Sequence, residues 1–148
     1  MFLDSLVNAD AVPVLQAAAR FAARRHSVLA GNIANLTTPG YLAKDVSVTS
    51  FQEQLREAVE RRREEFGGPR GELSIRSTDE VQTAAGAPLS LSLSPRSVSG
   101  RLLYHDRNNR DLERAMQDLT ENAAAFRLAT DLLRNRMSLI ESAIRERP

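Results

Sequence analysis

Apolar residues recur every seven positions along the last part of the chain, at Leu112, Leu119, Phe126, Leu133 and Ile140. Met116, Ala123, Thr130, Met137 and Ile144 fall between them with 4-3 spacing. A sustained seven-residue repeat keeps one side of an α-helix apolar over its whole length, and neither a strand nor a loop produces it. Glu113, Arg114, Asp118, Glu121, Arg127, Asp131 and Arg134 lie off this line. The pattern predicts one helix over 112–144, about 50 Å long at the usual rise per residue. Asn108, Asn109 and Asp111 offer a start signal and Pro148 marks the end. A helix of this length cannot bury its apolar side alone, so the repeat demands a partner.

The first part of the chain supplies one. Val7, Ala11, Val14, Leu15, Ala18, Phe21, Ala22, Val28, Leu29 and Ile33 trace a second helical stripe, with Arg20, Arg24 and Arg25 mostly beside it. Proline is tolerated in a first turn, so Pro13 places the helix start near itself and leaves the residues before it loosely held. The chain has no Trp, five Phe and two Tyr, and much of its apolar content is Ala, which suits helices packed on helices. This helix has only about 20 residues of firm pattern. Part of the long seam therefore lacks an intrachain partner and calls for another subunit.

Between these ends the periodicity dissolves. FQEQLREAVERRREEF, residues 51–66, reads as a short charged helix with Phe51, Leu55, Ala58 and Val59 on one side and the RRREE run as a solvated face. Leu89, Leu91 and Leu93 alternate with serines between Pro88 and Pro95, as in a short half-buried or edge strand. The remainder is expected to be extended and partly disordered. The expected fold is mainly α: long N- and C-terminal helices packed as an antiparallel coiled-coil-like hairpin, with an extended middle holding a short helix and a short β segment. The expected organisation is 1–36 for the N-terminal helical part, 37–66 for a turn and the short charged helix, 67–108 for a variable linker, and 109–148 for the heptad helix.

Sequence chemistry argues against catalysis. With no cysteine there is neither a disulfide nor a thiolate metal site. The two histidines, His26 and His105, have no nucleophile-elbow serine or HExxH spacing near them, and read as surface or packing residues. GGPRGE lacks the Lys and Ser/Thr of a phosphate-binding loop. Twenty basic residues, all but Lys44 arginine, against 19 acids give a net charge of +1, with no general reason to bind nucleic acid. No small-molecule substrate, cofactor or metal is expected. The amino terminus carries acids before its first arginine and lacks the basic front and apolar middle of a cleaved signal peptide.

NIANLTTPGY, residues 32–41, remains to be explained. Pro39 and Gly40 suit the central positions of a type II turn, and Thr38 is pushed out of the helical region by the proline that follows it. Asn32 and Asn35 stand near the helix end, where they can bond to frayed carbonyls or to the returning chain. A helix stop followed by a loop accounts for the turn, but less well for so tight a cluster of Asn, Thr and Tyr.

The wider stretch LAGNIANLTTPGYLAKDVSVTSF, residues 29–51, resembles the amino-terminal signature of bacterial flagellar rod and hook proteins: Ala-Asn-Ile-Ala-Asn, two variable residues, Thr-Pro-Gly-Tyr and a later Phe. The Lys44 and Asp45 pair followed directly by a short helix is most similar to the proximal rod members of that family. Arg107 stands where the family carries glycine before the last helix, and Ala30-Gly31 where it carries Ala-Ser.

The resemblance implies a structural subunit of the proximal rod, joining the membrane-embedded base to the distal rod and transmitting torque. The implied partners are other flagellar rod proteins, copies of the chain itself, the base-junction protein at the membrane ring, and the flagellar type III export apparatus. It also implies a place in the rod within the periplasmic space, reached by export without a cleaved signal peptide. Asn32, Asn35, Thr38, Pro39, Gly40 and Tyr41 would set the exit angle of the chain so that residues 42–66 lie across a neighbouring subunit. Phe51 and Leu55 resemble the Phe-x-x-x-apolar element recognised at the export gate. Leu112, Met116, Leu119, Ala123, Phe126, Leu133, Met137, Ile140 and Ile144 would form the helix-packing seam. The reading from another class is a cytoplasmic coiled-coil adaptor or secretion chaperone that binds a partner helix through residues 112–144.

Overall fold

The computed structural model describes residues 11–68, 71–84, 87–97 and 112–145. Helix α1, Val12–Ala34, carries Pro13 in its first turn as expected. Strand β1, Lys44–Asp45, and helix α2, Val48–Phe66, follow, then β2, Val81–Ala84, β3, Ala87–Leu93, and β4, Arg96–Ser97. Helix α3, Leu112–Arg145, closes the order. The strands form two antiparallel pairs, β1 with β4 and β2 with β3. In the second pair Val81 faces Leu93 and Thr83 faces Leu91, and the register shifts between Thr83 and Ala84.

Helix α1 lies at the centre because its apolar residues occupy two sides. On one side Ala17 and Phe21 join Val46, Phe51, Ala58, Leu73, Ile75, Val81 and Leu91 in the buried core. The rings of Phe21 and Phe51 stack in parallel with centroids 4.0 Å apart and planes 4° apart. Ser47 sets the start of α2, its hydroxyl accepting the Ser50 amide at 3.1 Å. The buried positions of α2, Phe51, Ala58 and Arg62, then follow at helical spacing. Arg62 corrects the expectation that RRREE is wholly solvated. It is buried, and its aliphatic stem extends the apolar stripe by a turn. Arg61 reaches back to donate to the Ser74 carbonyl at 3.0 Å.

Ala19, Ala22 and Leu29 are buried on another side of α1, outside that core, and here α3 packs. The amide of Asn122 donates to the Ala22 carbonyl at 2.8 Å. Arg25, one turn further along α1, feels the carboxylates of Asp118 and Glu121, which precede Asn122. The two helices therefore run antiparallel, and the mainly helical hairpin expected from the periodicity is present.

The face that α3 turns inward differs from the expected seam. Its buried residues are Ala115, Asn122 and Ala129, seven apart. Leu112, Met116, Phe126 and Ile144 are exposed, and Leu119, Ala123, Leu133, Met137 and Ile140 are half-buried at its margin. Ala19 and Ala22 on α1, with Ala115 and Ala129 on α3, allow the backbones to approach closely, which leaves no room for the Leu, Met or Phe side chains of α3 on the line of closest contact.

One further expectation needs adjustment. The strand anticipated around Leu91 exists, but as half of the β2–β3 ribbon that begins before Pro88. Within residues 42–66, Phe51 packs on α1 of the same chain. His26 is exposed on α1, whereas His105, Asn108, Asn109, Asp111 and Pro148 lie outside the described residues.

Gly71 fixes how the chain leaves α2. Its φ is +109°, and a Cβ there would lie 2.5 Å from the Phe66 ring. Gly71→Ala is expected to displace that ring and destabilise the fold by about 1–3 kcal/mol, read by urea denaturation.

Candidate functional site

The residues singled out in NIANLTTPGY come together at the end of α1. Asn35 donates from its side chain to the Gly31 carbonyl at 2.9 Å and so closes the last turn of the helix. The Tyr41 amide bonds to the Thr38 carbonyl at 3.2 Å across Pro39 and Gly40. Gly40 has φ +75°, the positive value that position i+2 of a type II turn requires. Thr38 is tied to Asn35 twice, amide to carbonyl at 3.0 Å and hydroxyl to side-chain oxygen at 3.3 Å.

Asn32 does more than terminate a helix. It is buried, and its Oδ1 accepts the Lys44 amide and the Tyr41 hydroxyl, each at 3.0 Å. Its Nδ2 donates to the Lys44 carbonyl at 2.6 Å. One side-chain amide thus satisfies both backbone groups of a single residue, as a neighbouring strand would.

A second clasp lies two turns earlier on the same side of α1, where Arg25 sits seven residues before Asn32. Its Nε and Nη2 donate to the two carboxylate oxygens of Asp45 at 2.8 Å and 2.6 Å. This bidentate pair is mostly withdrawn from water. Asp45 Oδ1 also accepts the Val46 amide at 2.8 Å. The hydrogen bond to Asp45 raises the Arg25 guanidinium above its ordinary pKa despite its burial, and the charges of Asp45, Asp118 and Glu121 add to the shift. Arg25 therefore faces both the returning chain and α3.

The arrangement is mechanical. Asn32 and Arg25 pin Lys44 and Asp45 to α1, so the direction in which α2 departs is fixed by buried polar bonds rather than by the turn alone. Sequence reasoning noted the Lys44 and Asp45 pair but set Arg25 beside the apolar stripe and overlooked Asn122. The available signal was the seven-residue interval from Arg25 to Asn32, which puts both on the helix side that receives the chain. Of the two residues linked to export, Phe51 is buried in the core and Leu55 is half-buried against it.

Among the described residues no group of three or more His, Cys, Asp or Glu side chains is placed to hold a metal ion. No described helix is long and apolar enough to cross a membrane.

No family model matches the chain. Individual relatives do. The chain is 30% identical over 118 residues to the flagellar basal body rod protein FlgB of Salmonella typhimurium, covering 80% of each protein. FlgB of Escherichia coli matches to the same extent, and FlgB of Yersinia enterocolitica is 30% identical over 117 residues, 79% of each. Identity sustained across four-fifths of both proteins, together with the helix-and-turn layout described above, makes this chain a member of the FlgB family of flagellar basal body rod proteins.

Proposed function

We propose that the chain is a structural subunit of the proximal rod, assembling axially with sibling rod proteins and with copies of itself to link the membrane-embedded base to the distal rod and transmit torque. In this reading it reaches the periplasmic rod through the flagellar type III export apparatus, without a cleaved signal peptide, and meets the base-junction protein at the membrane ring. It is a structural protein and not an enzyme.

The observation that carries this reading is the second apolar face of α3. Leu128, Leu132 and Leu139 are 62%, 44% and 61% exposed, and their 4-7 spacing puts them on a side of the helix away from Ala115, Asn122 and Ala129. A helix with apolar residues on two sides fits a position between its own α1 and a neighbouring subunit. Length supports the same reading. Asn122 meets Ala22, ten residues after Val12, so the antiparallel register brings Leu132 level with the start of α1. The following residues, 133–145, run about 20 Å beyond it.

The test is deletion of the gene in its own host, scored for motility and for the basal bodies that can be purified. Cells lacking rod and hook but keeping the membrane ring, restored by the intact chain, are the expected result. Intact rods and hooks in the deletion strain would refute the reading and favour the cytoplasmic adaptor. Combined Leu128→Glu, Leu132→Glu and Leu139→Glu substitutions are expected to change monomer stability by only about 0.5 kcal/mol each, because much of each side chain is already in water. They are nevertheless expected to abolish rescue of motility.

A further inference from the structure

We infer that Asn122 selects the register of the α1–α3 pair and thereby determines how much of α3 projects beyond α1. The relevance of that projection to assembly rests on the rod reading; the register itself does not.

The apolar pattern does not choose one register. Ala115, Asn122 and Ala129 recur every seven residues on the inward face, and Leu112, Leu119, Phe126 and Leu133 recur likewise beside it, Leu112 and Phe126 exposed and Leu119 and Leu133 half-buried. A slip that set Arg136 where Ala129 now lies would carry a charge to the contact line and is disfavoured without Asn122. The opposite slip sets Ala115 where Asn122 now lies, level with Ala22, and exchanges one large apolar residue for another beside it, so packing alone separates that register little from the observed one.

Asn122 breaks the degeneracy. It is 4% exposed, and its amide is bonded to the main-chain carbonyl of Ala22. In that slipped register the amide would come level with Leu15, whose side chain is larger than that of Ala22 and holds the amide off the backbone, and a buried polar group without a partner is penalised far more than an apolar one. A single buried asparagine in an otherwise apolar helical interface is an attested device for fixing register, at some cost in stability. Arg25 reinforces it from one turn away through Asp118 and Glu121, but longer-range attraction to two carboxylates does not demand one position as a 2.8 Å hydrogen bond does.

The chain contains no cysteine, so introduced pairs report register without background. Leu29 and Ala115 each stand seven residues from the bonded pair, in opposite chain directions, and are level in the observed register. Leu29→Cys with Ala115→Cys is therefore expected to form a disulfide in the otherwise unchanged chain. Ala22→Cys with Ala115→Cys keeps Asn122 and is about 10 Å out of register there, too far for a disulfide. Adding Asn122→Ala to that second pair removes the amide, and the slipped disulfide is then expected to rise at least tenfold. Circular dichroism on each variant confirms that the helices are retained. If residues 22 and 115 crosslink equally with and without Asn122→Ala, or do not crosslink in either background while helicity persists, Asn122 does not set the register. Since every readout is on the isolated chain, that failure would leave the rod reading untouched, and failure of the rod reading would leave this result standing.

Discussion

Phe51→Ala is expected to destabilise the fold by about 3–5 kcal/mol, a large share of the roughly 5–15 kcal/mol that holds a domain together. The ring is 3% exposed and stacked on Phe21, so truncation opens a cavity where α1 and α2 are joined. Urea denaturation followed by circular dichroism should show the midpoint falling steeply, while Leu55→Ala, at a half-buried position, should lose about half as much. A loss near zero at Phe51 would mean that α2 is not anchored through the stack. The result also governs how any export defect is read. In the folded chain the proposed recognition ring is inside the core, so failure to export the alanine variant would confuse recognition with folding. Phe51→Met, which keeps most of the buried volume, separates the two. Lost export with retained stability would implicate recognition, and normal export would leave Phe51 with a packing role only.

Much of the architecture was legible because periodicity is a strong signal over long stretches. The 34 residues of α3 and the 23 of α1 were both anticipated, as was the short charged helix that begins beside Phe51. The side of α3 that packs was read less well, for a physical reason. Hydropathy gives weight to Leu, Met and Phe, yet the helices meet where side chains are smallest, at Ala115 and Ala129, with a polar residue between them. Apolar residues on two sides of one helix also spread the signal, so the exposed Leu128, Leu132 and Leu139 escaped the heptad count. Arg25 was misplaced because its burial depends on Asp45, twenty residues later, and no local pattern announces a pair at that separation. The stacking of Phe21 on Phe51 is likewise a tertiary fact, and it anchors α2 to α1 within one chain.

The hydrogen bonds of Asn32 set up the contrast that separates the turn from the clasp. Asn32→Leu keeps the size of the side chain but strands the Lys44 amide and carbonyl and the Tyr41 hydroxyl, and is expected to destabilise the fold by about 2–4 kcal/mol. Gly40→Ala should be milder. Its φ of +75° disfavours a side chain, but an added Cβ meets nothing within 4 Å, so the cost is about 1 kcal/mol of backbone strain. Paired urea titrations measure both, and hydrogen exchange at the Lys44 amide should quicken in the Asn32 variant far more than in the Gly40 variant. The reverse order would mean that the Pro39-Gly40 turn, and not the side chains of α1, directs the chain. The expected order has a consequence for assembly in the rod reading. A turn that tolerates strain is compatible with small adjustments between subunits, whereas Asn32 and Arg25 hold β1 to α1 at two points and so transmit the orientation of the helix to α2. A Pro39/Gly40 double substitution should then weaken motility less than Asn32→Leu combined with Asp45→Asn, which releases both points at once.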